Sequence, residues 1–172
     1  MQWATARDEP VIFGQDKNNQ WQIIPRAHLQ MGGRVLSRKT YRNWPANISP
    51  LDLALGWGEL GDPQVDQWVN WRQSNRWYHY SWEDDSPYDA DYLRLHSSNV
   101  HIIPATPNLA EALLKIKEDD QVFLEGLLVD IEATQGDRKW RNSTSLSRSD
   151  SGNGACEILY VKRLTWNGQT YQ

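Results

Sequence analysis

The chain has 172 residues, a net charge of −4 and a pI near 5.5, a length that suits one domain able to bury its core without staples. Its single cysteine, Cys156, excludes an intrachain disulfide framework and any multi-cysteine zinc site. The acidic balance argues against a phosphate-binding field over the whole surface, and no apolar run approaches the roughly 18 residues of a membrane span.

Residues 1–20 are polar and are expected to form an arm that closes on a short strand, WQIIP (21–25). RVLSRKTYR (34–42) alternates Val35, Ser37 and Lys39 against Leu36, Arg38 and Thr40, the period of a strand. NWPANISP is loop. Ser49 followed by Pro50 has the form of a helix start, cap then first-turn proline, so LDLALGW is expected to be a short helix ended by glycines. GDPQVDQWVNWRQ predicts another helical turn or two, with Val65, Trp68, Val69 and Arg72 on one stripe. RWYHYSW (76–82) predicts a strand rich in aromatics, EDDSPYDAD an acidic surface loop, and NVHIIPA a strand cut off by Pro104. Pro107 and Asn108 open a helix over 108–118 whose apolar face is Leu109, Ala112, Leu113 and Ile116. QVFLEGLLVDIEA predicts a nearly continuous apolar strand bulged at Gly126. A turn at Gly136–Asp137, a polar strand RNSTSLS and a last strand ACEILYVKRLTW complete three strands in hairpin sequence. The expected class is α+β: a curled antiparallel sheet or small β-barrel packed by one or two short helices.

Two motifs, HSSNVHIIPA and SLSRSDSGNGACE, are similar to those of an uncharacterised bacterial protein family, over residues 34–163. The resemblance implies a bacterial source, an N-terminal membrane anchor lying outside this sequence and an extracytoplasmic location, and it implies no activity. The opening MQWATARDEP fits either a native start or a cut made downstream of such an anchor.

Cys156 is the first candidate for chemistry, since a nucleophilic thiol needs only a base and an oxyanion donor. A histidine (His96 or His101), a helix, the acidic pair Asp119–Asp120, Cys156 and then Arg163 is an order similar to that of sortases. The sortase strand end is absent, because Gly154–Ala155 precede Cys156, and Arg163 falls at odd spacing from Cys156, hence on the opposite strand face. Strand spacing puts Cys156 beside Ile158 and Tyr160, which predicts a buried, inert thiol. His96 and His101 are five apart, a spacing that suits no metal pair, and no metal or other cofactor is expected.

Ser147, Arg148, Ser149 and Ser151, with the N–H groups around two glycines, could line an anion nest, but the segment opens a strand rather than a helix, which favours a hairpin ordered by an Arg148–Asp150 pair. The segment 68–82 gathers Trp68, Trp71, Trp77 and Trp82 with Tyr78, Tyr80, Arg72 and Arg76, a set suited to stacking on a ligand or within the protein. Ten tryptophans, each large and with an indole N–H to satisfy, beside two phenylalanines predict several half-exposed indoles. The composition favours a non-catalytic module binding a protein or small ligand, with nucleic acid disfavoured. The alternatives are a sortase-like transpeptidase or hydrolase using Cys156, and a barrel that binds oligonucleotide or glycan through the Trp–Arg segment.

Overall fold

The computed structural model of the protein describes residues 2–6, 8–42, 46–147, 149–150, 152 and 155–172. The N-terminal region expected as an arm instead contributes two strands, β1 (Gln2–Thr5) and β2 (Ile12–Gln15), both paired antiparallel with β3 (Asn19–Thr40). β3 joins the two short strands expected at 21–25 and 34–42 into one of 22 residues. Pro25 is tolerated inside it because the register shifts there, so the missing N–H falls at a bulge. Gly33 lets β3 turn close to its neighbour: a Cβ there would stand 2.5 Å from the Gly56 carbonyl oxygen.

LDLALG is strand β4 (Leu51–Gly56), not the expected helix, and all six of its residues are buried. A strand covered on both faces has no two-residue polar alternation to reveal it, and Ser49–Pro50 mimics a helix start. Between β4 and the next long strand lies an insertion. It holds 3-10 turns at Gly58–Gly61 and Pro63–Gln67, a hairpin of β5 (Val69–Ser74) and β6 (Trp77–Trp82), and helix α1 (Ala90–Leu95). The acidic loop thus ends in a helix, capped where the Asp89 carboxylate accepts from the Tyr92 N–H at 2.7 Å. Leu60, Val65, Val69 and Leu93 form a small core of the insertion's own.

The expected strand at NVHIIPA is β7 (Ser97–Pro104), and the expected helix is α2 (Pro107–Lys115), with Thr106 as N-cap and Pro107 in the first turn. The chain continues through β8 (Gln121–Gln135), β9 (Arg138–Asn142), β10 (Glu157–Trp166) and β11 (Gln169–Tyr171). The three strands expected in hairpin sequence differ in two ways. β9 is short and pairs with residues 131–135 of β8, and β10 takes the same edge of β8 farther along, over 122–128, where it also runs parallel to β7. The bulge expected at Gly126 lies on the partner, between Val161 and Arg163, and a Cβ on Gly126 would come within 2.0 Å of the Tyr160 oxygen.

The protein is therefore α+β: one large mixed sheet, a small two-stranded sheet and few helices. Hydrogen-bonded pairs run from β3 through β4, β7, β10 and β8 and return to β3. One face of these strands supplies the main core, including Leu29, Leu53, Val100, Ile102, Leu128 and Leu159, and α2 adds Leu109, Ala112, Leu113 and Ile116. Among the described residues no helix is long and apolar enough to cross a membrane.

Candidate active site around Cys156

β4 and β7 each send alternate residues to the main core: Leu51, Leu53 and Leu55 from one, Val100 and Ile102 from the other. Their remaining residues face the opposite side, and the antiparallel register sets Asp52 directly across from His101 and Ala54 across from Asn99. β10 enters parallel to β7 with Ile158 beside His101, which brings Cys156, one residue before the strand, into reach of the same face.

Asp52 is completely buried. His101 Nδ1 lies 2.9 Å from Asp52 Oδ1, an ion-pair contact without hydrogen-bond geometry, and neither that nitrogen nor Asp52 Oδ2 has a hydrogen-bond partner. Cys156 lies near enough to His101 to favour the charged imidazole. Asn99 Nδ2 stands 3.6 Å from Cys156 Sγ. Burial opposes the charged imidazolium, but Asp52 and Cys156 outweigh it and push the His101 pKa up to about 9.

The hairpin β5–β6 lies over this face and is fastened at its tip. Arg76 Nη1 donates to Asp52 Oδ1 at 2.9 Å, and the guanidinium sits 3.7 Å over the Tyr41 ring. The Arg76 N–H donates to the Tyr41 hydroxyl at 3.1 Å, and Asn99 Nδ2 donates to the Arg76 carbonyl at 3.0 Å. Gln73 completes the attachment by donating to Asn99 Oδ1 at 2.6 Å. Desolvation, followed by the Asp52 charge, raises the Tyr41 pKa to about 12.

Cys156 opens on a cavity of about 170 Å3 walled by Trp77, Tyr78 and Tyr80 of the hairpin, with Arg94, Ser98 and Asp150 on its rim. The loop before β10 is knitted to the body of the protein. Asp130 accepts from the Thr144 N–H, the Ser145 N–H donates to the Cys156 carbonyl, and Ser145 Oγ donates to Asp150. Arg94 donates to the Ser149 carbonyl at 2.9 Å, tying the loop to α1. At the mouth of β7 and β10, Ser98 Oγ donates to the buried Glu157. The two motifs HSSNVHIIPA and SLSRSDSGNGACE therefore meet: Ser98, Asn99 and His101 come from the first, Asp150 and Cys156 from the second.

The other residues singled out in the sequence fall in several places. Cys156 is half-buried and in polar contact, not deep in the apolar site expected beside Ile158 and Tyr160. His96 caps α1, with Nδ1 2.9 Å from the Tyr92 carbonyl and its ring stacked on Tyr92, so only His101 joins the cysteine. Arg163 pairs with Glu125 on the surface. Trp68 and Trp71 pack on the insertion's own core, with Trp71 stacked on Tyr78. Arg72 is exposed and Trp82 largely so, whereas Arg76 turns inward instead of joining a surface platform. Arg148 and Ser151, and with them the expected Arg148–Asp150 pair, lie outside the described residues.

Asp52, Asn99 and Tyr41 were not among the residues the sequence pointed to. The available signal was a single carboxylate inside the apolar run LDLAL, which burial on both faces of a strand makes costly unless it is paired. Among the described residues no group of three or more His, Cys, Asp or Glu is arranged to hold a metal ion. No family model, curated protein or solved structure matches the chain.

Proposed function

We propose that the protein is a thiol-dependent acyl-transfer enzyme, a hydrolase or transpeptidase, with Cys156 as nucleophile, His101 as acid–base partner and Asp52 as the carboxylate that orients the imidazole. The supporting observation is the grouping itself: His101 stands 2.9 Å from a fully buried carboxylate and near Cys156, which opens on a cavity. A nucleophile, a base and a third group that orients the base is the arrangement such chemistry requires. Because Nδ1 faces Asp52, Nε2 is left to serve the sulfur.

In the forward step the Cys156 sulfur, as the thiolate whose proton His101 carries, adds to an acyl carbonyl carbon. The leaving group departs with its electron pair and takes a proton from His101, leaving a thioester. Water or an amine then adds to that thioester as His101 removes its proton, and the sulfur leaves with the electron pair of the broken bond. Asn99 Nδ2 offers a donor beside the sulfur. The order His then Cys agrees with the sortase-like layout, but Arg163 takes no part, because it is paired elsewhere.

The strand pairings support a further reading, that the sheet closes as a small five-stranded barrel similar in strand order to the OB fold. A three-strand meander comes first, a helix separates the third strand from the fourth, and the fifth lies parallel to the third. Proteins of that plan bind ligands over the second and third strands and the loops between the first and second and the fourth and fifth. In this chain the second and third strands are β4 and β7, which carry Asp52, Asn99 and His101. One observation favours a binding module at the same face without catalysis: Arg76 already neutralises Asp52. The resemblance of the two motifs to an anchored bacterial family supports a substrate at the cell envelope.

Incubation with a panel of small acyl esters and thioesters, read by intact mass, separates the two readings. The catalytic reading expects an acyl adduct on Cys156 that hydroxylamine removes, absent in Cys156→Ala and formed about 100-fold more slowly in His101→Gln. Equal adduct rates in the wild type and His101→Gln would leave only the binding module.

A further inference from the structure

Arg76 occupies a position that its backbone disfavours. Asn75 and Arg76 form the two-residue turn between β5 and β6 with φ of 52° and 70°. The second site of such a turn ordinarily belongs to glycine. A non-glycine residue stays in the left-handed region only where its surroundings over-determine it, a condition common at functional sites. Four contacts do so here. The side chain meets Asp52 and the Tyr41 ring, the N–H meets the Tyr41 hydroxyl, and the carbonyl meets Asn99. Nothing in the turn's own geometry calls for arginine.

The same contacts place a permanent cation on the carboxylate that serves His101. Arg76 Nη1 and His101 Nδ1 both lie 2.9 Å from Asp52 Oδ1. The hairpin that Arg76 fastens carries Trp77, Tyr78 and Tyr80, three walls of the Cys156 cavity. We infer that Arg76 is a positioning residue with two linked roles: it latches the aromatic hairpin over the Cys156 cavity, and it shares Asp52 with His101 and so sets how tightly the imidazole holds its proton. Only the bearing of these roles on catalysis rests on the reading above; the latch and the sharing of Asp52 do not.

The charged groups that act on His101 are Asp52 from β4 and Cys156 ahead of β10, with Arg76 from the hairpin and Tyr41, just past β3, acting through Asp52. Removal of Arg76 leaves Asp52 with one cation, and the imidazolium gains. The test is Arg76→Gly, in which the turn keeps its geometry without strain, alongside Arg76→Lys, which keeps the charge. The His101 imidazole is titrated by NMR in each, and Cys156 alkylation by iodoacetamide is timed in parallel. The inference expects the His101 inflection to rise by half a pH unit or more in Arg76→Gly and to stay near the wild-type value in Arg76→Lys. It also expects the Tyr78 and Tyr80 ring signals to lose their dispersion in Arg76→Gly. An unchanged His101 inflection in a folded Arg76→Gly protein overturns it. Alkylation of wild-type Cys156 no faster than in the unfolded chain would instead strike the catalytic reading, and the NMR result would still decide the role of Arg76.

Discussion

Asp52 concentrates the electrostatics of the site in one carboxylate oxygen, which faces both Arg76 and His101. Removing one partner of a buried ion pair strands the other, which costs about 3–5 kcal/mol. Asp52→Asn is therefore expected to lower stability in urea denaturation by an amount of that order. The raised pKa of His101 makes a separate prediction about pH. An imidazole that titrates near 6.5 unfolded and at about 9 folded binds more protons in the folded state between those values. Its stabilisation is complete below pH 6.5 and is lost as pH rises toward 9. Urea midpoints of the wild type should fall across that window relative to those of His101→Gln. A constant difference between the two proteins from pH 6 to 9.5 would show that His101 is not held as the charged partner of Asp52.

Among the elements, α2 and β7 were legible from local sequence because their signals are unambiguous: a Thr–Pro start with apolar spacing of three and four, and a β-branched run stopped by proline. β4 was not, because LDLALG carries no periodicity once both faces are covered, and its Ser49–Pro50 flank imitates a cap. That misreading also hid the site, since a helix places Asp52 and His101 nowhere near each other, whereas the strand register pairs them directly. Part of the site is legible: Cys156, His101 and Arg76 are candidates, but Asn99, Asp52 and Tyr41 depend on pairings between strands distant in sequence. The legible helix gives a direct packing test. Leu113 is buried in the main core with Leu109 and Ile116, so Leu113→Ala should cost about 2–5 kcal/mol, measured by chemical denaturation. A loss below about 0.5 kcal/mol would mean that α2 does not seal this core.

At the scale of the whole molecule, the ring of β3, β4, β7, β10 and β8 holds the main core, while the insertion from the end of β4 to β7 carries a four-residue core of its own. A two-stranded hairpin is marginal by itself, so the insertion should open before the ring does. Amides of β5 and β6 are expected to exchange with solvent at lower free energy than those of β7 and β8. Such a layout suits a site whose floor is rigid and whose aromatic wall can move. The floor carries Asp52, His101 and Cys156, and the wall carries Tyr78 and Tyr80. The central claim is that this floor activates Cys156, and the rate at which iodoacetamide alkylates that thiol at pH 7 tests it most directly. The account predicts a native rate about tenfold or more above that of the same chain unfolded in urea, with the excess lost in His101→Gln and Asp52→Asn. A native rate equal to or below the unfolded one would contradict it.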